Sequence, residues 1–167
     1  MKTSITPLEN DQIQTLAAFA EPIWFEHYTP IIGEQQVKYM LDKFQSEQAI
    51  TSQIEEGYQY FLVKNDNQLL GYFALQFREN DSLFISKFYL SSSARGKGIG
   101  KVMLDHITQL AKQAGSKTLD LTVNKYNSAY QIYLKLGFIN QGSAEFDIGN
   151  GYIMDDYLMS KVVLSIC

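Results

Sequence analysis

An α/β domain built on one mixed sheet is what this sequence predicts, and three observations predict it. Helical periodicity dominates the first 57 residues, two β-rich runs joined by Asn65-Asp66-Asn67 form a hairpin signal in the middle, and short β-rich and amphipathic helical runs alternate in the second half. With 167 residues, 46% hydrophobic and 19% charged, the chain fits a single domain over 1–167 with a core of its own.

Each element follows from its pattern. Residues 3–7 alternate weakly and predict a short edge strand ending at Pro7. Ile13, Leu16, Ala17 and Ala20 fall at helical spacing with Asn10 or Asp11 as cap, and Pro22 is expected to break or restart that helix. After the aromatic stretch PIWFEHYTPIIG come helices at 34–45 and 47–56. YQYFLVK and QLLGYFALQF make the hairpin, and LFISKFYL at 83–90 is a further strand. A glycine-rich loop then opens a helix whose Ile99, Met103, Ile107, Leu110, Ala111 and Ala114 share one face and which stops at Gly115. A strand at 117–123, a helix at 127–136 ended by Gly137, and strands at 138–147 and 152–163 around a GNG turn complete the chain.

Fourteen basic and eighteen acidic residues leave a net charge of −4, which argues against a nucleic-acid partner. A local basic patch remains in Arg95, Lys97 and Lys101. The single cysteine, Cys167, offers no internal disulfide and no Cys-based metal site, and the expected metal is none. The N-terminal stretch has no apolar core of a signal peptide and no run approaches the ~20 apolar residues that span a bilayer, so the expected setting is cytoplasmic with no membrane partner.

The loop Arg95-Gly96-Lys97-Gly98-Ile99-Gly100 carries the chemistry. Glycines let main-chain N–H groups approach a ligand, and the first turn of a helix presents unpaired donors and partial positive charge, so the pattern reads as an anion cradle for a pyrophosphate. Two common cradles fail on spacing. A P-loop requires G-x-x-x-x-G-K-[ST], whereas Lys101 is followed by Val102, and a dinucleotide fingerprint requires G-x-G-x-x-G, whereas Gly96, Gly98 and Gly100 stand two apart.

Strand, R-x-x-G-x-G (Arg95, Gly98, Gly100), then helix resembles the acetyl-CoA site of the GNAT N-acetyltransferase superfamily. The later A-x-x-x-Y-x-x-x-G-F, here Ala129, Tyr133, Gly137 and Phe138, is similar to a second element of that family. The resemblance is strong over 83–140 and weak over the first 57 residues. It implies a mixed, mostly antiparallel central sheet splayed between its fourth and fifth strands and flanked by helices, with a slot for pantetheine at the splay. It implies acetyl-CoA as cosubstrate, gripped by the backbone of Phe88, Tyr89 and Leu90 and by the loop residues Arg95, Gly96, Lys97, Gly98, Ile99 and Gly100. The family's Asn three residues before the matched Ala is Tyr126 here. Asn127, two before it, stands either as a cofactor contact or as a helix cap.

By the same resemblance the reaction is direct attack of an amine on the thioester in a ternary complex, with Tyr133 assisting the departing thiolate and the Leu90 N–H stabilising the oxyanion. Glu26, His27, Glu79 and Asp120 are candidate bases. The acceptor is expected to be an amine of a small molecule or peptide, and a homodimer is left open. Trp24, Phe25, Tyr28 and Tyr39 read either as a pocket wall or as core. Asp155 and Asp156 read either as an acidic rim for a cationic amine or as edge-strand protection. A non-catalytic acetyl-CoA sensor on the same fold is the alternative function.

Overall fold

The computed structural model describes residues 2–163, so Cys167 lies outside the described residues. Seven strands form one sheet in the order β1-β2-β3-β4-β5-β7-β6: β1 Thr3–Pro7, β2 Gln59–Asn65, β3 Gln68–Arg78, β4 Ser82–Leu90, β5 Thr118–Asn124, β6 Ile139–Gly149 and β7 Tyr152–Val162. β1–β2, β2–β3, β5–β7 and β6–β7 pair antiparallel, and β4–β5 is parallel. That parallel ladder registers only Ser82↔Thr118, Leu83↔Leu119 and Phe84↔Asp120, although the strands are nine and seven residues long, which is the splay expected between the fourth and fifth strands. The helices are α1 Ile13–Ile32, α2 Glu34–Gln45, α3 Glu47–Glu55, α4 Ile99–Ala114 and α5 Ala129–Lys135. Among the described residues, no helix is long and apolar enough to cross a membrane.

The chain forms two compact units and passes between them within β3, β4 and α4. The first holds residues up to Gln76 together with Lys87–Met103; the second holds Phe77–Ser86 and the residues from Leu104 onward.

In the first unit the local helix signals are partly overruled by burial. α1 runs through Pro22 and Pro30 instead of breaking. A proline inside a helix costs about 3 kcal/mol, and burial of large side chains at about 1.5–3 kcal/mol each offsets it. Ile23, Trp24 and Tyr28, all after Pro22, are buried. The start also differs from expectation: Asn10–Gln12 form a 3-10 turn, and the Gln12 side chain accepts from the Glu9 amide at 2.9 Å, so neither Asn10 nor Asp11 caps α1.

A buried polar chain ties these helices to the strands. Trp24 Nε1 donates to Tyr72 Oη at 2.8 Å, Tyr72 donates to Gln45 Oε1 at 2.5 Å, Gln45 Nε2 donates to Tyr60 Oη at 3.0 Å, and Tyr60 donates to Gln53 Oε1 at 2.5 Å. Each buried donor thus meets an acceptor, and α1, α2, α3, β2 and β3 are fixed in one arrangement. Trp24 is therefore a core residue, with 2% of its surface exposed.

In the second unit β7 lies between β5 and β6. Leu119, Leu121 and Val123 are buried on one face of β5, while Thr118, Asp120 and Thr122 are half-buried on the other. The alternation places these polar residues and Asn124 together on the second face. On α5 the expected apolar face is only partly realised, because Ile132 is 56% exposed.

Candidate active site

The glycine loop and the end of β4 belong to the first unit. Ile99, Met103, Ile107 and Ala111 are buried along α4, which fixes the direction in which the helix begins. Ahead of it the backbone turns through Gly96 (φ +78°) and Gly98 (φ +79°), a conformation costly for any residue with a Cβ. A Cβ at either glycine would meet nothing within 4 Å, so the space over the loop is open. The first backbone bond of the helix runs from the Val102 amide to the Gly98 carbonyl at 3.3 Å. Among the described residues, the amides from Gly96 to Gly100 find no acceptor in the protein. Open space and unclaimed donors at a helix start are what a diphosphate requires, and the residues present fit that group.

Arg95 is engaged with the strand end. Its Nε and Nη2 donate to the Leu90 carbonyl at 3.3 and 3.2 Å, and its Nη1 lies 3.4 Å from Glu26 Oε1 on α1. Both side chains of that ion pair are about half exposed, so it adds little stability, but it places one candidate base against the loop arginine. Phe88, Tyr89 and Leu90 are the last three residues of β4. The Tyr89 ring packs against Trp24 and Tyr72 at centroid distances of 5.4 and 5.5 Å, and its hydroxyl is 2.6 Å from that of Tyr28. His27 meets Tyr28 edge-on at 4.8 Å.

Two residues of this unit were missed by sequence reasoning. Gly71 on β3 lies so close to β4 that a Cβ there would overlap the Tyr89 carbonyl oxygen and stand 2.8 Å from Leu90 Cδ2. The β2–β3 register shifts at this point, from Val63↔Gly71 to Lys64↔Leu69, and the Leu70 carbonyl between them accepts from the Ser91 amide at 2.9 Å. The signal was available, since a lone glycine in a β run marks a bulge or a close backbone approach. Lys87, just before Phe88, has its ammonium pushed down to about 8 by burial; a lysine inside LFISKFYL was the clue.

The second unit carries Tyr133 and the asparagines. Tyr133 is half-buried on α5, its ring edge-on to Phe138 at 5.7 Å, and its carbonyl accepts from the Phe138 amide at 3.0 Å. Asn127 is buried and its Oδ1 accepts from the Ala129 amide at 2.8 Å, a local bond to the first residue of α5, while Ser128 stands at the N-cap position without a side-chain cap bond. Asn124, also buried, uses its Oδ1 on the Tyr126 amide at 2.9 Å. Of the remaining candidate bases, Asp120 accepts from the Ser160 hydroxyl at 2.7 Å, and Glu79 is exposed in the turn after β3.

The two neighbouring aspartates part company here. Asp155 pairs with Lys125 Nζ at 2.8 Å, which raises the lysine, whereas Asp156 is buried opposite Asn124. Because β7 is an interior strand, Asp156 does not serve as edge protection. Burial, with Asp155 next to it, pushes its carboxyl up to about 6 against a bond from the Thr122 hydroxyl. The other charged groups on β5, β6, β7 and the turn after β5 are Lys125 and Glu145 and, further along the strands, Asp120, Asp147 and Lys161. A carboxyl raised on folding binds its proton more tightly in the native state, so the protein loses stability as pH rises from about 4 to about 6 and carries the full penalty above that. Asp156→Asn is therefore expected to raise Tm at pH 7.5, with the difference shrinking as the pH is lowered through 6; thermal melts across that range check it.

The comparisons with known proteins bear on the family and the fold. Residues 28–153 match the family model for the acetyltransferase (GNAT) domain. A streptothricin acetyltransferase of Streptomyces lavendulae is 32% identical over 81 residues. That match covers 47% of this chain and 43% of that protein, so the alignment spans less than half the length of this curated relative. The PaiA N-acetyltransferase of Thermoplasma acidophilum, solved in complex with coenzyme A, superposes with a TM-score of 0.80 at 23% identity, covering 97% of this chain and 99% of that one. An acetyltransferase of the GNAT family from Staphylococcus aureus superposes with a TM-score of 0.71 at 19% identity, covering 98% and 100%. These structural likenesses show the fold. The match over 28–153 shows the family: the chain belongs to the GNAT acetyltransferase domains.

Proposed function

We propose that this protein is a cytoplasmic N-acetyltransferase that moves an acetyl group from acetyl-CoA to a primary amine of a small molecule or protein. The observation that carries the reading is the open run of amides from Gly96 to Gly100 at the start of α4, which find no acceptor among the described residues. Acetyl-CoA, when bound, supplies an acyl thioester open to attack by an amine. The loop amides hold the diphosphate, with the charges of Arg95 and Lys97 beside it. The backbone of Phe88, Tyr89 and Leu90 pairs with the pantetheine amides, and the Leu90 N–H faces the oxygen on which negative charge develops. Tyr133 donates a hydrogen bond to the departing sulfur. Asn127, bonded through its Oδ1 to the Ala129 amide, tethers the start of α5, the helix that carries Tyr133.

Thiol release from acetyl-CoA with a panel of amines tests the reading. Release with at least one amine is expected; binding of the coenzyme without release for any amine would identify a sensor module instead. Arg95→Ala removes a charge from the loop and unties it from the Leu90 carbonyl. It is expected to weaken the calorimetric Kd for CoA about 5- to 10-fold, with kcat at saturation changed less than about threefold.

A further inference from the structure

Glu26 is the charged neighbour of the glycine loop that the proposed reaction leaves without a task. Its Oε1 lies 3.4 Å from Nη1 of Arg95, whose Nε and Nη2 are engaged on the Leu90 carbonyl at 3.3 and 3.2 Å. One guanidinium therefore joins α1, the end of β4 and the first residue of the loop, and all of these belong to the first unit. The contact is accessible, with 43% of the Arg95 side chain and 53% of the Glu26 side chain open to solvent.

Electrostatics makes this carboxylate a rival of the diphosphate and not a support of the fold. An exposed ion pair contributes little stability, because water screens it and two long side chains are immobilised to keep it. α1 is held without it. Trp24 and Tyr28, on either side of Glu26 in the helix, are buried; Trp24 donates to Tyr72 at 2.8 Å, and both rings pack against Tyr89. What the pair does is place an anion on the cation that leads into Gly96 to Gly100, where the space is open and the amides find no acceptor among the described residues. A diphosphate carries more charge than a carboxylate and offers several acceptor oxygens, which suits the donor fork of a guanidinium. A diphosphate on the loop amides and the Glu26 carboxylate thus draw on one cation, while the Leu90 carbonyl keeps that cation anchored.

We propose that Glu26 is a built-in competitor for Arg95, holding the guanidinium in the free protein and giving it up to the diphosphate of CoA, so that it sets the affinity for the coenzyme. This rests on the acetyl-CoA reading above and adds a residue which that reading does not use. It gives Glu26 a task other than that of a base.

A double-mutant cycle tests it. Calorimetric Kd values for CoA are measured on the full chain for the wild type, Glu26→Gln, Arg95→Ala and the double variant, at low ionic strength, where an exposed pair is least screened. Glu26→Gln removes the charge and keeps the shape. It is expected to bind CoA about 3- to 5-fold more tightly than the wild type, and to leave the affinity for pantetheine, which lacks the diphosphate, within about 1.5-fold. On the Arg95→Ala background the same change is expected to alter the CoA Kd less than about 1.5-fold, because the cation for which the two anions compete is gone. Unchanged or weaker CoA binding by Glu26→Gln overturns the inference. So does a gain of the same size with and without Arg95, which plain repulsion between carboxylate and diphosphate would give. Turnover is read in parallel at saturating CoA: a fall of about 100-fold with an unchanged Kd makes Glu26 a base, overturning the inference and leaving the acetyltransferase reading intact. An absence of heat with CoA in the wild type sinks both.

Discussion

Tyr133→Phe is expected to lower kcat for CoA release about 100-fold while leaving the Kd for CoA within about twofold. The ring contact with Phe138 at 5.7 Å and the backbone bond from the Phe138 amide to the Tyr133 carbonyl survive the change, so the helix stays in place and only the hydroxyl is lost. A free thiol titrates near ~8.5 and a tyrosine near ~10, so complete proton transfer to the sulfur is uphill by roughly 1.5 units, or about 2 kcal/mol. A hydrogen bond to the charge developing on the sulfur is favourable throughout, and orientation therefore matters more than acidity. Steady-state kinetics beside calorimetry check the split between turnover and binding, and a phenylalanine variant with undiminished turnover would refute the role.

Gly71→Val is expected to destabilise the protein by about 1–3 kcal/mol, seen as a fall in Tm of roughly 3–10 °C, and to weaken CoA binding as well. The Cβ overlaps a main-chain oxygen, that of Tyr89, and approaches Leu90 Cδ2 at 2.8 Å, so β3 and β4 must move apart in the first unit. Tyr89 and Leu90 are two of the three residues whose backbone is proposed to meet pantetheine. A displacement at Gly71 therefore reaches the proposed site without altering a residue in it. Thermal melts with and without CoA separate the two effects: the coenzyme is expected to raise the Tm of the variant less than that of the wild type.

The strands, the later helices and the glycine loop were legible because their signals are local. The alternation in TLDLTVN, the asparagine and aspartate turn between β2 and β3, and the glycines before Ile99 each report on a few neighbouring residues. Where sequence reasoning failed, the deciding contact was distant in the chain. Pro22 reads as a break, yet Trp24 reaches a hydroxyl 48 positions away on Tyr72, and that burial carries the helix onward. Asp155 and Asp156 look alike in sequence, and only the threading of β7 between β5 and β6 sends one to Lys125 and buries the other against Asn124. Asn127 was legible as a residue that both roles claimed; its Oδ1 bonds to the Ala129 amide at the start of α5, with Ser128 at the N-cap position.

The central claim is that the bare amides from Gly96 to Gly100 grip the diphosphate of coenzyme A. Calorimetric titration of the full chain with CoA and with pantetheine, which carries the same thiol arm without the diphosphate, addresses it most directly. Saturable binding of CoA, with pantetheine at least about 100-fold weaker, is the expected result. No heat with CoA, or equal affinity for the two, would contradict it.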